Sequence, residues 1–221
     1  MSEATTSVVE ESNTSRAKVP ADEMFEVNAG FSGKLQFLYG QKRPQGANHH
    51  GLLVDDAFPV VYNATLCGDN VANAGTGVLF RNNARLDLGN AIVAGWFTGA
   101  DAVGTIGMPV DVRSSVFDGN ATNPAYAEDP AQMDQASPLF NDDNGYDELA
   151  MLGDPARANK ATSAGLVDCY DPAAPKPWPN AALGGARTPP ADGFFDTTAT
   201  YVGAVKDGSD PWLRAKWISW Q

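Results

Sequence analysis

Val60-Val-Tyr-Asn-Ala-Thr-Leu-Cys-Gly68, Asp87-Leu-Gly-Asn-Ala-Ile-Val-Ala-Gly95 and Asp111-Val-Arg-Ser-Ser-Val-Phe-Asp-Gly119 are three writings of one pattern. Their closing glycines lie 27 and 24 residues apart, and a second echo, Gly51-Leu-Leu-Val and Gly77-Val-Leu-Phe, recurs at 26. A period of this length marks an array of stacked structural units. Aligned on the glycine, Val61, Leu88 and Val112 share one column, and Leu66, Val93 and Phe117 share another five residues on. Side chains alternate faces along a strand, so positions five apart point to opposite sides of a straight one. Both columns reach the interior only if the chain turns a corner between them. That corner falls at Asn63-Ala64, Asn90-Ala91 and Ser114-Ser115, small polar pairs suited to a bend.

Stacking then sets Asn63 beside Asn90, and the expectation is an inward asparagine ladder bonded from copy to copy. Gly68, Gly95 and Gly119 supply the next tight turn. Each copy carries two or three short strands paired in parallel with its neighbours, which is a parallel β-helix: every rung buries its apolar face only because others stack on it. A helical reading fails because the segments run five to seven residues, are β-branched and are punctuated by glycine.

Composition agrees. In 221 residues, 22 glycines and 15 prolines leave little room for long helices, and 43% hydrophobic with 19% charged residues is the profile of an ordered chain. The net charge of −12 opposes nucleic acid as a partner, because phosphate binding needs clustered Lys and Arg. No apolar run is long enough for a membrane span, and Met1-Ser-Glu-Ala-Thr-Thr-Ser-Val-Val-Glu has neither the basic nor the apolar region of a signal peptide. The two cysteines, Cys67 and Cys169, leave two readings open. A disulfide would close a loop worth roughly 4–5 kcal/mol in the chain-entropy model; otherwise they are buried thiols acting as small hydrophobes.

Around the repeats, residues 1–24 read as a mobile tail. Gly33-Lys-Leu-Gln-Phe-Leu-Tyr-Gly40 reads as an imperfect earlier copy, 28 residues before Gly68. Beyond Asn120 the chain turns acidic and loop-like, with Glu148 to Lys160 as the one plausible short helix. A proline-rich stretch follows from Gly165 to Pro190, and the end is aromatic: Phe194, Phe195, Tyr201, Trp212, Trp217 and Trp220. That much aromatic area needs burial, most simply as a cap or strap on the β-helix.

Gly33-Lys-Leu-Gln-Phe, Pro59-Val-Val-Tyr-Asn-Ala-Thr-Leu-Cys-Gly, Gly77-Val-Leu-Phe-Arg-Asn, Asn90-Ala-Ile-Val-Ala-Gly-Trp, Gly165-Leu-Val-Asp, Pro189-Pro-Ala-Asp-Gly-Phe-Phe-Asp and Thr200-Tyr-Val-Gly-Ala-Val together resemble a family of bacterial secreted right-handed parallel β-helix proteins, mostly uncharacterised. The likeness spans residues 25–220 and is most specific in its last part. It implies an extracellular or cell-surface protein. Family members are longer, with a signal or lipoprotein peptide and further rungs upstream, so this chain resembles their C-terminal half with a short new start. The resemblance carries no catalytic residues with it.

Candidate chemistry is sparse. Asp55-Asp56 follows a predicted strand, with His49, His50, Arg81 and Arg85 nearby in sequence; paired carboxylates suit glycosidic-bond cleavage, against the plain reading of a solvated turn. Asn141-Asp-Asp-Asn-Gly-Tyr-Asp-Glu148 offers Asp142, Asp143 and Asp147 as oxygen ligands for Ca²⁺, although its spacing is not that of an EF-hand and an acidic surface loop is the competing reading. His49-His50 lacks a third ligand at metal spacing. Asn13, Asn63 and Asn120 match the glycosylation acceptor pattern, and no nucleotide-binding motif is present.

The expected architecture is therefore all-β: a tail (1–24), a short right-handed single-stranded parallel β-helix of about four rungs (25–120), and a long irregular segment with an aromatic cap (121–221). The expected role is a non-enzymatic extracellular or cell-surface module, structural, adhesive or glycan-contacting, without a required cofactor. The alternatives are a carbohydrate-active enzyme using Asp55 and Asp56, and self-association through an uncovered first rung, whose backbone groups are a template for another chain.

Overall fold

The computed structural model describes residues 15–18, 23–42, 50–68, 75–104, 109–120, 147–171 and 173–211. Strands dominate: β1 (Ser15–Lys18), β2 (Phe25–Asn28), β3 (Lys34–Gln41), β4 (His50–Asp55), β5 (Val60–Cys67), β6 (Thr76–Arg81), β7 (Leu86–Gly89), β8 (Ile92–Ala94), β9 (Thr98–Val103), β10 (Val110–Arg113), β11 (Val116–Asp118), β12 (Lys160–Ala161), β13 (Leu166–Asp168) and β14 (Lys176–Pro179). Two sheets are wholly parallel. One runs β1-β3-β5-β8-β11-β12, with β7 pairing both β5 and β10; the other runs β2-β4-β6-β9. Among the described residues only β13 and β14 pair antiparallel.

The register joins the columns of the repeat. Val61 pairs with Leu88 and Leu88 with Val112; Leu66 pairs with Val93 and Val93 with Phe117. All six side chains are fully buried, in one cluster with Leu52, Val54, Val78 and Phe80 of the second sheet. Burial of each such side chain contributes about 1.5–3 kcal/mol before the entropy of ordering is subtracted. Trp96 closes the cluster: its indole N–H donates to the Leu66 carbonyl at 3.0 Å, and its backbone N–H donates to the Asn120 amide oxygen at 2.9 Å.

The corner is real and has a backbone signature. Asn63, Asn90 and Ser114 adopt φ of 57°, 58° and 53°, and Phe37 at the equivalent point of β3 adopts 59°. Asparagine tolerates this left-handed region better than most residues. The ladder breaks there: Gln36 pairs with Tyr62 and Leu38 with Ala64, while Phe37 and Asn63 make no rung between them. The glycine column has two separate causes. Gly95 and Gly119 sit at φ 72° and 62°, whereas a Cβ on Gly68 would fall 2.1 Å from the Gly95 carbonyl oxygen.

The structure corrects two expectations about the repeat. The asparagine ladder does not form. Asn63 accepts from Gln36 Nε2 at 3.1 Å and donates to the carbonyls of Ala199 and Tyr201, and Asn90 bonds to the backbone of Arg187. At positive φ these side chains leave the interior and meet the C-terminal segment. Gly40 also does not align with Gly68: it pairs with Leu66, and what requires glycine there is the close approach of Met24 and Phe25, not a turn.

Of the segment expected as a tail, Ser15–Lys18 pairs in parallel with Leu38–Gln41. The expected short helix is α1 (Glu148–Gly153), followed by a 3₁₀ turn at Pro155–Arg157. Glu148, almost fully buried, accepts from the Ala102 backbone N–H of β9 at 2.7 Å, so α1 covers part of that strand's open edge. From Ala164 the chain crosses the outward face of the first sheet. Ala164 and Val202 pack on Ile92, Ala94 and Val116, while Cys169, Ala204 and Val205 pack on Tyr39 and Cys67. Trp212, Trp217 and Trp220 lie outside the described residues; of the expected cap aromatics, Phe195 stands edge-on to Tyr62, with centroids 5.3 Å apart.

Candidate functional site

The residues singled out in sequence do not gather. Asp55 ends β4 and takes the Arg81 guanidinium at 2.8 Å on one oxygen and the Asn82 amide at 2.8 Å on the other. Asp56 follows in the left-handed region at φ 47°, exposed at a turn. Arg85 lies 5.0 Å from the Phe58 ring. His49, Asp142 and Asp143 fall outside the described residues. Asp147 caps α1, accepting from the Ala150 N–H at 2.7 Å. Among the described residues no group of three or more His, Cys, Asp and Glu side chains is placed to hold a metal ion. Asn63 and Asn120 are buried with bonded amides, so neither is open to glycosylation in this fold; Asn13 lies outside the described residues.

Cys67 and Cys169 are joined as a disulfide, with Cα atoms 6.2 Å apart across a separation of 102 residues. The bond ties β5 to the C-terminal segment. Side chains of the repeat fasten the same segment further along. Gln36 exchanges two hydrogen bonds with the Asp196 backbone, Asn90 exchanges two with Arg187, and Thr65 accepts from the Ala204 N–H at 2.9 Å. Gln36 and Thr65 stand on the neighbouring strands β3 and β5, and Asn90 at the corner between β7 and β8. An extended segment has unpaired backbone groups, and these amides and hydroxyls satisfy them.

A different set of outward residues does converge. In register, Asp87 stands beside Asp111, and Tyr62 is two positions along the neighbouring strand. The Tyr62 ring leans over Gly89, where a Cβ would lie 2.4 Å from it. Arg113 reaches Asp111 at 2.6 and 2.8 Å, and Arg157, delivered by the 3₁₀ turn, bonds the same carboxylate. Arg187, from the C-terminal segment, sits 3.5 Å from Asp87, 4.0 Å from Asp111 and 5.4 Å from the Tyr62 ring centroid. Burial pushes the Asp87 carboxyl above its ordinary value, Asp111 adds to this, and Arg187 opposes it. Burial, then the Asp87 charge, pushes the Tyr62 phenol up to about 12.

This cluster has two carboxylates, three guanidiniums and a phenol. It can hold charge and donate or accept hydrogen bonds. The repeat alignment contained its sequence signal: Val60, Asp87 and Asp111 form an outward column, and Tyr62, Gly89 and Arg113 the next one. Arg157 and Arg187 carry no such signal, since they arrive from outside the repeat.

No protein-family model, curated protein or solved structure matches the chain. No helix among the described residues is long and apolar enough to cross a membrane.

Proposed function

We propose that the chain is a short right-handed parallel β-helix of about four rungs, serving as a non-enzymatic structural module outside the cytoplasm, at a surface where it adheres or contacts glycans. The observation that supports a structural role is the use made of the repeat's outward polar side chains. Gln36, Asn63, Thr65 and Asn90 bond to the chain's own C-terminal segment instead of facing an open centre. Parallel ladders that step 22 to 27 residues from one strand to its neighbour support the β-helix reading. The Cys67–Cys169 bond supports an oxidising compartment, where such bonds persist. The secreted family that the sequence resembles points the same way.

The enzymatic alternative is weakened at its best residue, because both Asp55 oxygens are already bonded, one to Arg81 at the end of β6 and one to Asn82 in the turn after it. Incubation with acidic and neutral polysaccharides tests the choice. The structural reading expects binding or inertness, with no release of reducing ends and no unsaturated uronate absorbance. Turnover that Asp55→Asn or Asp56→Asn abolishes would replace it with the carbohydrate-active one.

Self-association has its own support. Among the described residues, β2 and the first half of β3 lie at sheet ends, while β1 covers only Leu38–Gln41. Light scattering over a concentration series decides it: a monomer throughout removes this reading.

A further inference from the structure

Both faces of the second sheet are covered, although only one of them looks into the core. Val54, Phe80 and Ala102 stand in one register column across β4, β6 and β9 and belong to the core cluster. Leu53, Leu79 and Asp101 form the column one residue earlier, so their side chains point the other way. Asp55, Arg81 and Val103, two positions further on that outward face, are partly exposed. Leu53, Leu79 and Asp101 are only 2%, 4% and 2% exposed. Outward side chains in the middle of a sheet reach such burial only beneath a covering layer. Among the described residues neither leucine belongs to a hydrophobic cluster, and the C-terminal segment packs on the first sheet.

Charge selects the cover. The long stretches outside the described residues are 1–14, 121–146 and 212–221. A buried carboxylate such as Asp101 calls for a cation or hydrogen-bond donors beside it, and Glu26, in register with Leu53, adds negative charge to the same face. Residues 1–14 and 121–146 contain acidic residues and no Lys or Arg, whereas 212–221 contains Arg214 and Lys216 and no Asp or Glu. The same stretch carries Trp212, Leu213, Trp217, Ile218 and Trp220, a large apolar area that itself needs burial. Reach agrees. Ala204 and Val205 pack on Cys67, and Gly208 lies against the Trp178 ring beside them. Cys67 ends β5, and from there the chain itself crosses to β6 of the second sheet. Ten extended residues span up to roughly 33 Å, against roughly 14 Å across four strands.

We propose that the outward face of β4, β6 and β9 is the docking surface for residues 212–221 of the same chain, with the tryptophans over Leu53 and Leu79 and with Arg214 or Lys216 paired to Asp101. The C-terminal segment then clasps both sheets: hydrogen bonds and a disulfide hold it to the first, apolar contact and one ion pair to the second. The three tryptophans are taken up by the chain's own sheet and do not stack on sugars, so any glycan contact lies elsewhere on the surface. The inference is independent of the proposed role of the module.

Nuclear Overhauser contacts in the methyl-labelled full chain test the docking directly. The expected result is contact from the Leu53 and Leu79 methyls to indole protons of Trp212, Trp217 or Trp220. Contact from those methyls to residues 1–14 or 121–146 instead overturns the proposal. So does indole contact seen only between differently labelled chains in a mixed sample, which would give the surface to a second copy. Arg214→Glu with Lys216→Glu, in the full chain, tests the charges. Indole emission is expected to shift to the red and to become more open to quenching by acrylamide, while the Val54 methyl contacts in the core persist. Emission unchanged by the double substitution overturns the pairing with Asp101. If that variant does not fold, the wild-type contacts decide alone.

Discussion

Asn63 and Asn90 adopt the same left-handed backbone, φ 57° and 58°, yet their amides turn away from each other to grip two different stretches of the C-terminal segment. One residue type thus does two things at each corner: it accepts a conformation most residues resist, and it supplies the hydrogen bonds that hold the covering chain.

These two contributions separate by substitution. Asn63→Ala loses both and is expected to cost about 3–4 kcal/mol; Asn63→Gly keeps the backbone conformation and is expected to cost about 1 kcal/mol less. Asn63→Asp sets a buried charge against the Ala199 and Tyr201 carbonyls and should be the worst of the three. Urea midpoints give the order. Equal losses for Ala and Gly would mean that the left-handed corner contributes nothing.

The closing glycines should respond unequally although they occupy one column. Gly119 has open space around it and only its positive φ to protect, so Gly119→Ala costs about 1 kcal/mol. Gly68→Ala drives a methyl into the Gly95 carbonyl and costs about 2–3 kcal/mol or more. Thermal melts of the two variants, side by side, check the contrast.

Opening the Cys67–Cys169 bond, by reduction or by Cys67→Ser with Cys169→Ser, is expected to lower stability by about 4–5 kcal/mol, the loop-closure value for so long a span. The C-terminal segment should become the first part to exchange amide hydrogens, because the bond that ties it covalently to β5 is gone and hydrogen bonds and apolar packing alone remain. A midpoint indifferent to reductant would show that the bond adds no stability.

Asp87 makes a signed prediction for pH. Its carboxyl titrates higher in the folded state than in the unfolded chain, so the native protein binds that proton more readily. The associated stability is fully present below the unfolded value of about 3.9 and declines as pH rises through the folded value. Asp192, held low by Lys34, and Asp207, held low by Ser209, act with the opposite sign, losing their contribution as pH falls. The difference between wild type and Asp87→Asn isolates the first effect: the wild type should lose ground relative to the variant as pH rises out of the carboxylate range. Parallel curves would remove it.

The phenols of Tyr62 and Tyr201 are both pushed up, in each case chiefly by burial. Stability from keeping them neutral is complete below about pH 10 and is lost as pH rises through their folded values. Phenolate absorbance during alkaline titration should show two late tyrosines, one of them missing in Tyr62→Phe. Simultaneous ionisation of all six tyrosines before unfolding would contradict the burial of these two.

The stacking geometry was legible in the residues themselves. Columns such as Val61–Leu88–Val112, and the corners at Asn63, Asn90 and Ser114, follow from a periodic pattern, a two-residue alternation and the few side chains that tolerate a sharp bend. These are local properties, and sequence records local properties directly. What the corner asparagines bond to was not legible, because it depends on where a segment more than 90 residues away comes to lie. The expected ladder was a local answer to a non-local question. The charged cluster divides in the same way. Tyr62, Asp87, Asp111 and Arg113 belong to outward columns that the alignment already contained, while Arg157 and Arg187 were placed only by the tertiary fold. Periodicity determined which positions face outward; only the packing of the irregular C-terminal half decided which of them are covered, what covers them, and which charges meet.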